Sequence, residues 1–259
     1  HGPYARRPAF DFITQAMSGF MSSNGTPESG PLRTGAPLSD LLAGLYAALG
    51  TVAALYRRTQ TGQGERVAVA MLDGMLSIGA FLHSNFLATG QQMPATGNDH
   101  ALVAPYGLFP AQDGEIAIAP SNDGVYDKLL QALGLEELRQ HEEFHSNEQR
   151  VHNRTAINAH IAARLSQAPK AYWIDTLNKA GVPCGVVMNL AEAFADPQVL
   201  SQEMVLAIPH AGHGIVKMTG FPVKFTEAPC TVRYAAPELG AHTTAVLRTL
   251  GYEDTAMAT

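Results

Sequence analysis

The sequence is poor in the residue types that would tie it to an oxidising compartment, to nucleic acid or to a membrane surface. Cysteine occurs only as Cys184 and Cys230. These two lie too far apart in sequence to indicate a disulfide framework, so a cytoplasmic location is expected. Charged residues make up only 15% of the chain and the formal net charge is −6. Because no run of lysine or arginine exceeds two residues, neither nucleic acid nor a membrane is expected as a partner.

The first residues, HGPYARRPAFDF, contain neither an initiator methionine nor the charged and then apolar segments of a signal sequence. The chain starts in a turn-rich Gly-Pro segment, so we interpret it as part of a longer protein. Its hydrophobic content of 46% is ordinary for a globular protein. A length of 259 residues is enough for one large domain or two small ones with a substantial core.

The most informative stretch is TGAPLSDLLAGLYAALGTVAALYRR, residues 34–58. The run from Leu41 to Tyr56 contains no charged residue and two glycines, and it is shorter than the roughly 20 residues that span a bilayer. The pattern predicts a buried helix that ends near residue 58 and is capped by Ser39 or Asp40. An ionised carboxylate beside an apolar run is costly unless it faces water, a partner or a helix end. Asp40 therefore either caps this helix or serves a reaction.

The remaining pattern predicts an α/β fold, with a linker over residues 88–100. The pattern indicates a domain change near residue 98 and a return near residue 200. The predicted elements are a strand at 65–72, a helix at 73–88, a hairpin around Asp113-Gly114, helices at 123–134, 147–166 and 169–180, a strand at 184–189, a helix–turn–helix at 191–204 broken at Asp196-Pro197, two short strands, and a helix at 240–250.

The segment HEEFH, residues 141–145, matches the H-E-x-x-H pattern of zinc enzymes, in which both histidines lie on one face of a helix. Here the flanking residues are polar and no apolar stripe passes through the motif. His152 lies one residue beyond the spacing that a third histidine ligand requires. We therefore expect a solvated connection between helices and no metal, while a zinc hydrolase remains an alternative. The segment HAGHG, 210–214, is interpreted as a glycine-rich turn.

Five blocks follow one another in an order and spacing that resemble a known family. They are GPYARRPAFDFITQAMSGFMSSNG, GAPLSDLLAGLYAALGTVAALYRRTQTGQGERVAVAMLDGML, APYGLFPAQDGEIAIA, AGVPCGVVMNLAEAFADPQVL and LGAHTTAVLRTLGY. Together they are similar to the class III coenzyme A-transferases, a family that includes formyl-CoA transferase, crotonobetainyl-CoA:carnitine CoA-transferase and 2-methylacyl-CoA racemase. The resemblance covers essentially the whole chain, which corresponds to the C-terminal two-thirds of family members.

The resemblance implies that Asp40, in the block G-x-P-x-x-D-x-x-x-G, is the catalytic nucleophile. Its carboxylate would attack an acyl-CoA thioester, and an aspartyl anhydride and an aspartyl-CoA thioester would follow. The start of a helix favours the anion, and the neighbouring apolar helix is expected to keep water from the anhydride. Coenzyme A would enter as a substrate, with no permanently bound cofactor.

The resemblance also assigns residues near the start of the chain. The racemase branch has a histidine at the position of Phe10, and phenylalanine transfers no proton, so racemisation is the less favoured activity. Phe10 and Asp11 imitate the aromatic–acid pair of the formyl-CoA transferase branch and are expected to contact substrate, although plain core packing of Phe10 remains an alternative. Arg6 and Arg7 would meet CoA phosphates or, alternatively, form a solvated pair.

The resemblance further implies a large Rossmann-like domain, a smaller α/β domain over residues 99–195, and a homodimer of interlocked chains. Residues 1–98 and 196–259 would belong to the large domain, whose N-terminal part is absent from this chain. The glycine-rich loop that covers the site in formyl-CoA transferase is not evident, since ATGQQMPATGN occupies residues 88–98. Formyl and oxalyl substrates are therefore not expected, and another carboxylic acid is. A non-catalytic CoA-binding homologue remains an alternative.

Overall fold

Most helices lie where the sequence predicts them in a computed structural model that describes residues 2–253. The helices are Asp11–Met17 (α1), Phe20–Ser23 (α2), Leu38–Thr61 (α3), Met71–Ser77 (α4), Ala80–Thr89 (α5), Asp123–Leu133 (α6), Asn147–His152 (α7), Arg154–Leu165 (α8), Lys170–Lys179 (α9), Leu190–Ala195 (α10), Pro197–Ser201 (α11) and Thr243–Thr249 (α12). Two short 3₁₀ helices, Glu136–Gln140 and Glu142–Phe144, lie between α6 and α7.

The strands pair only as small antiparallel sheets among the described residues. They are Gly25–Thr26 (β1), Gly30–Pro31 (β2), Gly107–Ala111 (β3), Gly114–Ile118 (β4), Cys184–Val186 (β5), Val205–His210 (β6) and Gly214–Thr219 (β7). The sheets are β1–β2, β3–β4–β5 and β6–β7. The fold is therefore mixed α/β, and the Rossmann-like part of the expectation remains a proposal.

One hydrophobic core lies between the three-stranded sheet and helices α6, α8 and α9. The predicted hairpin forms, with Phe109 opposite Ile116, and β5 adds to it with Cys184 opposite Ile118. The alternation of buried and less buried residues along β3 matches a sheet with one covered face. The indole of Trp173 is 1% exposed and donates to a backbone carbonyl, so the polar edge of this large core residue is satisfied.

Capping residues in the sequence explain where several helices begin. The Asn122 side chain accepts a hydrogen bond from the backbone N–H of Val125 at the start of α6. Ser146 and Asn189 each start a helix with a reciprocal capping box. Asp196 caps α11 directly before Pro197, which confirms the predicted break there.

Two predictions between residues 65 and 88 are wrong. Residues 63–70 have no regular secondary structure, because a strand needs a neighbour and none of the described residues pairs with this segment. The single helix expected at 73–88 is two helices, α4 and α5, separated at Ile78 and Gly79. Ala80 directly after this break has a positive φ of 46°, which an uninterrupted helix does not contain.

The predicted burial of α3 is also wrong for this chain. The helix is as long as expected and ends at Gly62, whose φ of 70° is the left-handed conformation usual for a helix terminus. Ser39 is its only buried residue, and Leu45 and Leu49 are 68% and 66% exposed. By length and composition α3 is the one described helix that could cross a membrane, a test that core helices of soluble proteins also pass.

By packing, the described chain up to Val187 forms one compact unit, and the part from Met188 onward forms a second. The first unit holds α1 to α9 and the three-stranded sheet. The second holds the β6–β7 hairpin and the last three helices. The predicted boundaries at 98 and 195 rest on the family's domain organisation and remain a prediction.

Candidate active site

Asp40 lies in the first turn of α3 and is not its cap. The helix begins at Leu38, and its N-cap residue is Pro37, which has no side chain able to accept a hydrogen bond. The expectation that Ser39 or Asp40 caps α3 is therefore wrong. Asp40 is exposed, and its carboxylate accepts no side-chain hydrogen bond and makes no ion pair within the described part of the chain. A free carboxylate in a first turn also lies where the helix dipole favours negative charge.

The cap of α3 comes from Asp11, which is 28 residues earlier in the sequence. Oδ1 of Asp11 accepts a hydrogen bond from the backbone N–H of Ser39 at 2.9 Å and another from the Ser39 hydroxyl at 3.0 Å. The backbone N–H of a first-turn residue has no partner within its own helix, so an external carboxylate satisfies it. The structure thus brings Asp11 to the turn that carries Asp40.

Phe10 is the N-cap residue of α1 and directly precedes Asp11. Its side chain is 80% exposed, so the alternative in which Phe10 serves as core packing does not hold in this chain. An exposed aromatic ring next to the Asp11–Ser39 contact is available to a ligand. Whether Phe10 and Asp11 contact substrate stays a prediction.

Arg6 and Arg7 are both exposed. The Arg7 guanidinium lies over the ring of Tyr4, with its carbon 3.8 Å from the ring centroid, a cation–π contact that leaves its N–H edges open to solvent. Neither arginine forms an ion pair with a described carboxylate. They remain candidates for binding anionic phosphate groups.

The expected shielding of Asp40 from water is not achieved by this chain alone. Leu41, the next residue, is 54% exposed, and the apolar side chains along α3 face outward. Apolar area of this kind is stabilised only when another surface covers it. Shielding of the carboxylate therefore requires a surface that the described residues do not provide.

The HEEFH segment does not form the helix that a zinc motif needs. His141 and His145 flank the 3₁₀ helix Glu142–Phe144 and do not lie on one face of an α-helix. Phe144 is fully buried, so the segment anchors a connection to the core. His141 Nδ1 is 4.0 Å from a carboxylate oxygen of Glu143, which is an exposed contact.

A second histidine group was not expected from the sequence. Side-chain atoms of His210 and His213, at the turn of the β6–β7 hairpin, and of Glu238, in a later loop, lie within 4.8 Å of one another. The Nδ1 atom of His210 accepts from the backbone N–H of Gly212 at 3.1 Å, and its Nε2 lies 2.9 Å from the carbonyl oxygen of Ala236. Both ring nitrogens are thus engaged with the backbone, and a metal would have to displace one of these contacts. The spacing H-x-x-H was visible, but nothing local pointed to Glu238.

Comparison with known proteins defines the class. The sequence profile described as CoA-transferase family III matches residues 1–243. The chain therefore belongs to CoA-transferase family III. This confirms the resemblance found in the sequence.

Individual relatives agree with this assignment. The chain is 39% identical over 229 residues to acetyl-CoA:oxalate CoA-transferase of Acetobacter aceti, covering 87% of this chain and 57% of the relative. It is 29% identical over 249 residues to succinate–glutarate CoA-transferase of Agrobacterium fabrum, covering 96% and 62%. A CAIB/BAIF family protein from Brucella suis has a solved structure that matches with 34% identity and a TM-score of 0.81, covering 96% of this chain and 65% of that one.

Proposed function

We propose that the full-length protein containing this chain transfers coenzyme A from an acyl-CoA to a carboxylic acid, with Asp40 as the nucleophile. Family membership supports the reaction class. The observation that carries the residue assignment is the unengaged, exposed carboxylate of Asp40 in the first turn of α3. A nucleophile must be free of competing partners, and a helix start favours its ionised form.

The proposed reaction proceeds through two covalent intermediates. A carboxylate oxygen of Asp40 attacks the thioester carbonyl, and the C–S bond breaks to give a mixed anhydride and CoA thiolate. The thiolate then attacks the aspartyl carbonyl, which releases the first carboxylic acid and leaves an aspartyl-CoA thioester. The acceptor carboxylate repeats these steps in reverse order and departs as the new acyl-CoA, regenerating Asp40. Splitting the exchange in this way replaces one difficult step by easier ones.

The anhydride must be shielded from water during this sequence, and the exposed face of α3 supports a covering surface. Val52 is 64% exposed and Tyr56 is 70% exposed, and both lie on the same helix as Asp40. We propose that further parts of the family fold, a Rossmann-like large domain and a second interlocked chain, cover this face in the working enzyme. A cytoplasmic homodimer without a membrane or nucleic-acid partner is part of the same proposal.

The substrates are proposed as an acyl-CoA and a small carboxylic acid. The relatives named above are named for oxalate, succinate and glutarate. Oxalate had not been expected because a glycine-rich loop is not evident at residues 88–98. Because the chain is 39% identical to an acetyl-CoA:oxalate CoA-transferase, oxalate belongs in the acceptor panel.

The position of Phe10 supports transfer over racemisation, because a phenylalanine next to the Asp11–Ser39 contact supplies no second acid or base. Arg6 and Arg7 are proposed to contact CoA phosphates, and Phe10 and Asp11 to lie beside the substrate. A zinc hydrolase loses support because His141 and His145 do not share a helix face. A non-catalytic CoA-binding homologue would bind acyl-CoA without exchange and is separated from a transferase by the following experiment.

The test traps the covalent intermediate on the full-length protein. The protein is incubated with an acyl-CoA and hydroxylamine, digested, and analysed by mass spectrometry. The aspartyl-CoA thioester is expected to yield a hydroxamate at Asp40, while Asp11 stays unmodified. An acceptor acid labelled with oxygen-18 should leave one labelled oxygen on Asp40 after a turnover. A label on another residue, or transfer without any label, would overturn the assignment.

A further inference from the structure

The chain that leads into α3 has few hydrogen bonds of its own. Gly35, Ala36 and Pro37 precede the helix and carry no side-chain hydrogen-bonding groups. The helix has no side-chain cap from its N-cap residue. The local side-chain contacts are those of the Thr34 hydroxyl with the Ala36 carbonyl and of the Arg33 guanidinium with the Thr34 and Gly35 carbonyls. These contacts are exposed and none reaches the first turn of α3, so the direction in which that turn presents Asp40 also depends on groups elsewhere in the fold.

Gln15 of α1 connects the two ends of this segment. Its Nε2 donates to Oδ2 of Asp11 at 2.8 Å, and its Oε1 accepts from the backbone N–H of Thr34 at 3.0 Å. Through Asp11 it reaches Ser39, whose N–H and hydroxyl bind the other carboxylate oxygen. Thr34 and Ser39 lie on either side of the Gly-Ala-Pro segment. The Gln15 side chain therefore contacts the residue before this segment directly and the residue after it through Asp11.

The burial and polarity of these hydrogen bonds require a glutamine amide at position 15. Gln15 is 0% exposed and Ser39 is 0% exposed, so water cannot replace a lost partner at little cost. Thr34 presents a donor and Asp11 an acceptor, so only one orientation of the Gln15 amide satisfies both. A residue with two acceptors, or with none, would leave one of these buried groups without a partner.

We propose that Gln15 is a positioning residue for Asp40, acting through Asp11 and Ser39. This inference rests on the proposed function, since it concerns the placement of the nucleophile. A small displacement of a nucleophile from its attack geometry lowers the rate of the chemical step much more than the binding of substrate. Loss of the Gln15 contacts is therefore expected to lower kcat and to leave KM for acyl-CoA nearly unchanged.

A pair of isosteric exchanges tests this in the full-length protein. Gln15→Glu places a carboxylate against the Asp11 carboxylate, and Asp11→Asn places an amide N–H₂ against that of Gln15. Each single change breaks the contact, and each is expected to lower kcat by about tenfold, the effect of one charge-assisted hydrogen bond. In the double variant the new amide donates to the new carboxylate. Because Asp11 is also proposed to lie beside the substrate, the criterion is that kcat recovers by about threefold or more relative to both single variants, and not that it returns to the wild-type value.

Two further readouts distinguish positioning from a general loss of structure. The loss of kcat in Gln15→Glu relative to wild type should become smaller as the pH falls, because a protonated carboxyl at position 15 can again donate to Asp11 while the ionised form repels it.

Thr14→Val is the matched control: Thr14 is the neighbouring buried residue of α1, and its hydroxyl contacts only the Phe10 carbonyl, at 3.3 Å. This control should keep the wild-type kcat.

The outcomes separate this inference from the proposed function. If Asp40→Asn retains full transferase activity, the proposed function is wrong whatever the cycle shows. If Asp40 is essential but both single variants keep the wild-type kcat, or the folded double variant fails to recover, Gln15 does not position the nucleophile. A raised KM in Asp11→Asn without recovery of kcat in the double variant would mean that Asp11 acts on the substrate alone, and the inference would be wrong. Should Gln15→Glu fail to fold, Ser39→Ala, which removes one hydroxyl contact outside α1, must lower kcat by about threefold, or the inference is wrong.

Discussion

Residues 10–93 and residues 104–186 belong to one compact unit, yet they bury their apolar side chains to very different extents. The second region contains the whole hydrophobic cluster around Trp173. In the first region Met75 is the only buried hydrophobic residue among those described, and the apolar face of α3 is open. The second region is therefore stabilised by its own core. In the first region the polar contacts of Asp11, Gln15 and Ser39 hold the candidate site together, and its apolar faces are exposed.

The largest expected effect concerns Asp40 in the exposed region. In the full-length protein, Asp40→Asn should lower the transfer rate by at least about a thousandfold, because an amide is a poor nucleophile and the covalent route is lost. The free energy of unfolding should change by less than about 1 kcal/mol, since Asp40 makes no cap contact. Steady-state kinetics and chemical unfolding measure the two quantities. A near-normal rate would show that Asp40 is not the nucleophile.

A matched pair of truncations compares the two regions directly. Leu130 of α6 is 1% exposed and Leu45 of α3 is 68% exposed. In the 259-residue chain, Leu130→Ala should lower the free energy of unfolding by about 3 kcal/mol through lost burial and a cavity, and Leu45→Ala by less than about 0.5 kcal/mol. Urea unfolding of both variants provides the measurement.

The same pair sharpens the comparison when it is made in the full-length protein. If another surface covers α3 there, Leu45→Ala should cost about 2 kcal/mol or more, approaching the cost at Leu130. An unchanged small cost would mean that the α3 face stays open, and the proposed shielding of Asp40 would have to come from elsewhere.

A smaller effect is expected at Arg150, which joins polar groups inside the well-packed region. Its guanidinium is 1% exposed, donates to the carbonyls of Ala104 and Phe144, and contacts Asp123 at 2.6 Å. Arg150→Met should lower the free energy of unfolding by about 2 kcal/mol, because the two carbonyls lose their partner. Tyr126→Phe is the control: the buried Tyr126 hydroxyl has no partner among the described residues, so its removal should cost nothing.

The contribution of Arg150 to the free energy of unfolding should depend on pH, because its partner Asp123 titrates. The hydrogen bond from Arg150 lowers the pKa of Asp123 in the folded protein. The ionic part of the contact is therefore present above the ordinary aspartate pKa of about 4 and is lost as the pH falls through the lowered value. Below that range, wild type and Arg150→Met should differ less in stability. Burial raises the pKa of Tyr126 to about 12, so this residue does not titrate in the same experiment.

The smallest effect is expected for metal removal. His141 and His145 lack a common helix face, and His210 has both ring nitrogens engaged with the backbone. Dialysis against a chelator should leave the transferase rate and the thermal unfolding temperature unchanged. Zinc bound in a one-to-one ratio to tag-free protein, with His213→Ala abolishing the binding, would contradict this and identify the hairpin as the metal site.

The candidate site was predictable in part. The motifs point to Asp40 and Asp11 as site residues, an assignment that stays a prediction, and the structure brings both to the first turn of α3. Gln15 was missed, although it lies four residues after Asp11 and hence on the same face of α1. Its role depends on Thr34, which is 19 residues away, and no local pattern reports such a contact.

The sequence by itself determined the local structure of this chain. Gly62 ends α3, Gln112 and Asp113 form the turn of the hairpin, and Asn122 and Asp196 start helices. Each of these residues acts on backbone groups within a few positions of itself. Local propensities and hydrogen bonds of this kind are the same in any tertiary context, so they can be read from the sequence.

Only the tertiary structure decided the strand pairing, the burial and the helix capping that depend on contacts between distant segments. The segment 63–70 has strand-like composition but finds no neighbour, α3 has the composition of a core helix but stays exposed, and the cap of α3 comes from another helix. Burial and strand pairing are properties of two surfaces, and a sequence pattern describes only one of them. The chain therefore shows in its sequence which faces need covering, and only the three-dimensional arrangement shows which of them are covered.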